Sequence, residues 1–310
     1  MKEFVEEKFS GERALFREDG LHIERAIFDD GESPLKHSRN VDARYASFRW
    51  KYPLWYAENV KVKDSSFLEM SRSGLWYGKN ISVENTMIEA PKEFRRCDGV
   101  YLKDVSIPHA SETLWTCKNV VLEKVVACGD YFGKDSEDIK ADGLDLYGNY
   151  CFDGAKNIEI RNSRLLSKDS FWNTENVTVY DSYICGEYLG WNSKKLTFVN
   201  CIIESLQGFC YIDGLVMKDC TLTNTSLAFE YSTVDVDIKG RIDSIMNPLS
   251  GVIRADAIGI VIMDKEWVDP SKTELICRNG NPPKLLTSAD IELSSGQEHK
   301  TELHLKEQKL

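Results

Sequence analysis

The chain has 310 residues, 42% of them hydrophobic and 29% charged, with a formal net charge of −11. That balance excludes a disordered chain. The negative charge argues against nucleic-acid phosphates as a partner, because these need clustered Lys and Arg. No stretch approaches roughly eighteen continuous apolar residues, so no membrane span or membrane partner is expected. The opening MKEFVEEKFSGERALF carries no export signal, which makes a cytoplasmic location the expectation. Nine cysteines, an odd number without a CxxC pair, support neither a disulfide framework nor a zinc site. No cofactor or metal is expected.

Residues 1–19, with Phe4, Phe9, Leu15 and Phe16, read as an N-terminal cap. A repeat then begins. Segments such as ENVKVKDSSF (58–67), KNISVENTMI (79–88), KNIEIRNSRL (156–165) and ENVTVYDSYI (175–184) share one pattern. A register set on the residue before the first apolar position falls at Gly20, Asn40, Asn59, Asn80, Gly99, Asn119, Asp138, Asn157, Asn176, Lys195, Gly214 and Thr233, at intervals of 19 to 21 residues. Asn, Asp and Gly tolerate left-handed backbone, so the column marks a turn.

After each turn, apolar residues alternate with polar ones at the period of a strand: Val60 and Val62 around Lys61, then Ile81 and Val83 around Ser82. Asp64, Asn85, Asp104, Asn162, Asp181, Asn200 and Asp219 form a second turn column, followed by Phe67, Ile88, Ile107, Leu165 and Ile184. A third run supplies Leu54, Leu75, Phe94, Leu114, Phe152, Phe171 and Phe209. Three short strands separated by turns make one coil. The prediction is an all-β, single-stranded right-handed parallel β-helix with about 12 coils of about 19 residues over 20–240. Residues 241–280 read as irregular C-terminal coils and 281–310 as a flexible polar tail. Oligomeric state is left open.

The phrases GERALF (11–16), GESPLK (31–36), SKDSFWNTENVTVYDS (167–182) and GEYLGWNSK (186–194) resemble the bacterial family catalogued as domain of unknown function 3737. The resemblance runs from about residue 9 to about residue 280. It implies a β-helix of the pectin-lyase-like group and no transferable activity. Such folds often act on polysaccharides along the side of the rod, an analogy of fold alone. The signatures of a polygalacturonase are missing, since Asn173-Thr174-Glu175 only echoes the first of them.

In a coiled chain, residues one repeat apart become neighbours. Eight positions before the turn column stand Asp130, Asn149, Lys168 and Glu187; the next column holds Glu112, Tyr131, Tyr150, Asp169 and Tyr188. Four positions before it stand Trp55, Trp76, Trp115, Trp172 and Trp191. Lys168 is expected between Asn149 and Glu187, with Asp130 at roughly 10 Å. Rings of Trp and Tyr stack on sugars while carboxylates and amides bind hydroxyls, so carbohydrate is the expected ligand class. Asp130, Lys168, Asp169 and Glu187 are the candidate catalytic groups; Glu112, Asn149, Tyr150, Trp172, Tyr188 and Trp191 are the candidate binding groups. Ladder pairing alone would also place Lys168 against Glu187 and stack the aromatics. A non-enzymatic scaffold binding protein along its flank is therefore the competing reading. Cys97 with Cys117 and Cys201 with Cys220 read as buried thiol ladders. The histidines are scattered, and Asp142 and Asp145 lack the rest of a calcium loop.

Overall fold

A computed structural model describes residues 1–295 and 301–305. The alternation of apolar and polar residues produces strands buried on one face. Glu58–Lys63, Lys79–Glu84, Asp98–Lys103 and Lys118–Glu123 each bury their third and fifth residues. Successive strands pair in parallel, and the inward column runs Leu21, Val41, Val60, Ile81, Val100, Val120, Ile139, Ile158 without a slip. The chain is an all-β parallel β-solenoid of about 15 turns of about 19 residues. It divides into two compact units, Met1–Leu165 and Leu166–Leu310.

The count of turns corrects the sequence expectation. Lys2–Val5 and Lys8–Phe9 pair in parallel with Asp19–Glu24 and Ile27–Phe28, so the expected cap is itself a full turn. Lys2 there takes the place of Leu21 and Met1 that of Gly20, which hid the repeat. At the other end Thr233 pairs with Ser250 and Gly251 with Thr273, spacings of 17 and 22 residues that break the period. Residues 213–226, 233–246 and 250–262 are long strands with register shifts in place of the second turn.

The expected third strand is also corrected. Alternate residues there take left-handed angles, as at Lys92, Phe94 and Arg96 or at Gln207, Phe209 and Tyr211, so the run cannot extend. Its amides still reach the next turn: Leu54 N donates to Gly74 O at 2.9 Å and Tyr77 N to Arg95 O at 2.8 Å. The polar tail is partly strand. Lys284–Leu286 pairs with Ile260–Ile262, and Leu286 packs beside Leu227, Ile262 and Ile291. Ile291–Ser295 and Thr301–Leu305 form an antiparallel pair. Lys284–Leu286 thus extends the solenoid sheet, whereas the last pair is a separate two-stranded sheet; residues 296–300 and 306–310 lie outside the described residues.

Two ladders hold the turn columns. Eleven of the twelve repeat anchors are left-handed, Thr233 being the exception. Asn59 Nδ2 donates to Asn40 Oδ1 at 3.1 Å and Asn80 Nδ2 to Asn59 Oδ1 at 3.0 Å. Asn85 donates to Asp64 at 2.6 Å and Asn200 to Asp181 at 2.7 Å in the second column. Inward, Phe28, Phe48 and Phe67 stack at 4.9 and 4.5 Å.

One buried charge-bearing group interrupts the apolar interior of the first unit. Glu93 is 0% exposed, and its Oε2 accepts from Gly74 N at 2.7 Å and Leu75 N at 3.1 Å. Gly74 makes the room, because a Cβ there would lie 2.7 Å from that oxygen. Burial pushes the Glu93 carboxyl well above its usual range, with the two amides opposing it.

Two outcomes follow. Asn80→Ala loses the side-chain rung and the tolerance of left-handed angles, and urea unfolding should show a loss of about 1–2 kcal/mol; Asn80→Gly should lose less. Glu93 keeps its proton in the folded state at pH values where the unfolded chain releases it. Its contribution to stability is therefore full below the unfolded carboxyl pKa and is lost as pH rises through the folded one. Stability measured from pH 4 upward should fall less steeply in Glu93→Gln than in the parent, and parallel slopes would contradict this.

Candidate functional site

On the flank of the first unit, the column four positions before the turn reads Lys36, Trp55, Trp76, Arg95, Trp115, Lys134. Each indole is tied down by its edge. Trp76 Nε1 donates to Lys92 O and Trp115 Nε1 to Tyr131 O, both at 2.7 Å. Their faces are covered as well. Trp55 stacks on Trp76 at 5.5 Å, and the Arg95 guanidinium sits 4.5 Å from the ring centres of both Trp76 and Trp115. Arg95 also pairs with Glu112 at 3.1 Å, as does Lys92. Asp130 Oδ1 accepts from Asn149 N at 2.8 Å, and Tyr131 stacks on Tyr150 at 4.9 Å. Of the candidates in this unit, Glu112 neutralises two cations and Asp130 shapes the turn.

The second unit carries the remaining candidates. Lys168 Nζ lies 3.1 Å from Glu187 Oε2 and 5.7 Å from the centre of the Tyr188 ring. The contact with Glu187 raises the Lys168 pKa, against partial burial. Trp172 Nε1 donates to Tyr188 O at 2.8 Å. The Trp172 and Trp191 rings are 5.9 Å apart and inclined by 35°, and Tyr188 meets Trp191 edge-on at 6.5 Å. Lys168, Glu187, Tyr188, Trp172 and Trp191 thus form one half-buried face. Asp169 is the correction: it is 2% exposed and does not share the open face with Lys168. Its left-handed position (φ 58°) belongs to a column whose side chains do not all turn outward, since Ser73 is buried there too while Lys92 is exposed. The candidate set falls into two groups, one in each unit.

Sequence reasoning passed over two features. The first is Glu230, half-buried in the second unit. Tyr211 N donates to Glu230 O as Asn192 N does to Cys210 O, so Glu230 follows Trp191 and Cys210 in their column. A one-residue register shift, which pairs Leu206 with Ser226, moved it there from where a strict period would put Phe229. Trp191 lies 4.7 Å from Tyr211, and Tyr211 lies 5.3 Å from Tyr231. Burial raises the Glu230 carboxyl. Burial, then the Glu230 charge, raises the Tyr211 and Tyr231 hydroxyls and pushes the Cys210 thiol up to about 12.

The second feature is a groove of about 390 Å³ on the first unit, on the outward face of the six-residue strands. Lys61 and Tyr101 flank the small Ser82, and Gly99 interrupts the Asn ladder beside it. Tyr101 OH donates to Glu123 at 3.0 Å. This groove lies on a different column from the predicted residues. Among the described residues no group of three or more His, Cys, Asp or Glu is placed to hold a metal. All nine cysteines are thiols outside any disulfide, and Cys97 and Cys117 donate to Leu75 O and Phe94 O at 2.8 and 2.9 Å.

Comparison with known proteins gives three results. The model of the family described as Protein of unknown function (DUF3737) matches residues 2–276. No curated protein matches the sequence. Among solved structures, the mannuronan C-5 epimerase AlgE4 A-module of Azotobacter vinelandii is similar at 9% identity, over 90% of this chain and 84% of that one, with a TM-score of 0.29. Nothing is carried over from that likeness.

Proposed function

The chain belongs to the DUF3737 family of proteins of unknown function, and we propose that the face built on Lys168, Trp172, Glu187, Tyr188 and Trp191 binds a carbohydrate. The observation that carries this reading is the inclination of Trp172 and Trp191, 35° at 5.9 Å, beside the Lys168–Glu187 pair. In the first unit neighbouring indoles lie nearly parallel to each other or enclose a guanidinium. Inclined indoles do not cover each other fully, so a sugar ring can stack on an outer face, and the adjacent ammonium and carboxylate serve hydroxyls or a uronate. Recognition, not bond cleavage, is the role assigned. Asp169 is buried, and Asp130 and Glu112 have structural partners in the other unit.

A second reading, a scaffold binding protein along its flank, draws support from Val126, 53% exposed, and Tyr147, 63% exposed, which stand on paired neighbouring strands. A specific assembly at micromolar concentration that buries these residues would favour it.

Titration with a panel of neutral and uronate oligosaccharides, followed by tryptophan fluorescence, tests the carbohydrate reading. A saturable response is expected, weakened by about tenfold or more in Trp172→Ala. Lys168→Met should weaken uronates more than neutral sugars. Silence across the whole panel from a folded protein would sink the proposal.

A further inference from the structure

Several aromatic rings in each unit carry cations from the chain itself. Lys36 lies 5.4 Å from Trp55 and 5.8 Å from Tyr56; Arg95 lies between Trp76 and Trp115; Arg96 lies 5.9 Å from Tyr77 and Lys134 5.8 Å from Tyr131. In the second unit Lys168 covers Tyr188. The cluster of Trp191, Tyr211 and Tyr231 departs from this. No Lys or Arg of the described residues lies over any of these three rings, and the charged group among them is a carboxylate. Glu230 has no ion pair and no side-chain hydrogen bond among the described residues. Tyr211 is 43% exposed, so the cluster is open to solvent.

We propose that Trp191, Tyr211, Tyr231 and Glu230 form a binding site for an organic ammonium cation carried by a ligand. The argument is one of charge balance. Ring faces attract cations through their quadrupole, and a half-buried carboxylate attracts a counter-charge it does not yet have. A quaternary or protonated amine satisfies both at once, because it is weakly hydrated and presents apolar methylene or methyl groups to the rings. A small, strongly hydrated metal ion would gain little from the aromatic faces. Burial raises the Glu230 carboxyl, and an adjacent cation would oppose that shift. The inference does not rest on the carbohydrate reading, although Trp191 borders both sites.

The test uses the full-length protein and titrates choline and tetramethylammonium, read by tryptophan fluorescence and calorimetry. The neutral tert-butyl analogue of choline is the control. Saturable binding of the cations is expected, with the neutral analogue at least about tenfold weaker. Glu230→Gln should weaken choline by about tenfold, Tyr211→Ala should do likewise, and Tyr211→Phe should stay within about twofold. Far-ultraviolet dichroism of each variant reports that it is folded; if Glu230→Gln is not, the two Tyr211 variants decide. A glucosamine oligosaccharide and a trimethyllysine peptide, as further arms, distinguish an amino sugar from a modified protein as the source of the ammonium. Binding of the neutral analogue as tight as choline, no binding of any cation, or choline binding unchanged in folded Glu230→Gln would overturn the proposal. Trp172→Ala separates the two sites: it should weaken neutral glycans and leave choline unaffected.

Discussion

Within each unit, a parallel backbone ladder between successive turns imposes the condition on which the rest depends: every turn must close on nearly the same length. Closure within about 19 residues needs sharp corners, and the chain makes them with left-handed residues in several columns. Asn, Asp and Gly take that conformation cheaply, but Phe94, Phe152, Phe171 and Phe209 also adopt it. A left-handed residue with a bulky side chain costs about 1–2 kcal/mol. These phenylalanines are fully buried, and burial of such a side chain contributes about 1.5–3 kcal/mol. The strained corners thus coincide with the positions that fill the interior.

Equal turns make columns, and columns put like next to like unless the sequence prevents it. The residue beginning each six-residue strand of the first unit shows how it is prevented: Asp19, Arg39, Glu58, Lys79, Asp98, Lys118, Glu137 and Lys156 alternate in sign and pair in that order. Arg39–Glu58 at 3.4 Å and Lys118–Glu137 at 3.0 Å are exposed pairs that each contribute little. Their importance is that a column of one sign would repel at every rung. The same logic sets Arg95 between two indoles.

The strand and turn columns were legible from the sequence because both obey a local rule repeated many times. A period of two between Val60 and Val62, and an Asn that accepts left-handed angles at Asn59, can be read without coordinates. The limits of the repeat were not legible, because Met1 and Lys2 do not look like Gly20 and Leu21 and the last spacings drift. Which residues share the open face was legible only in part. Lys168 and Glu187 meet as the register requires, since pairing needs only the period. The burial of Asp169 depends on how a left-handed corner aims one side chain, and no spacing encodes that. Glu230 escaped notice because a single inserted residue moves it into the column of Trp191.

In a repeat protein, most contacts repeat because the ladder requires them, so a contact that every turn could make says little about function. The Lys168–Glu187 pair is of that kind, being what alternation produces elsewhere. Information about function lies where a column departs from its own rule. Two departures stand close together in the second unit: indoles inclined instead of parallel, and rings accompanied by an anion instead of a cation. The first leaves two indole faces turned partly away from each other. The second leaves a carboxylate whose desolvation no internal cation offsets. Neither departure is required by the repeat, and the carbohydrate and the organic ammonium proposed above are the ligand chemistries that would match them. That asymmetry, not the resemblance of the fold to other β-helices, is the physical reason for the two proposals.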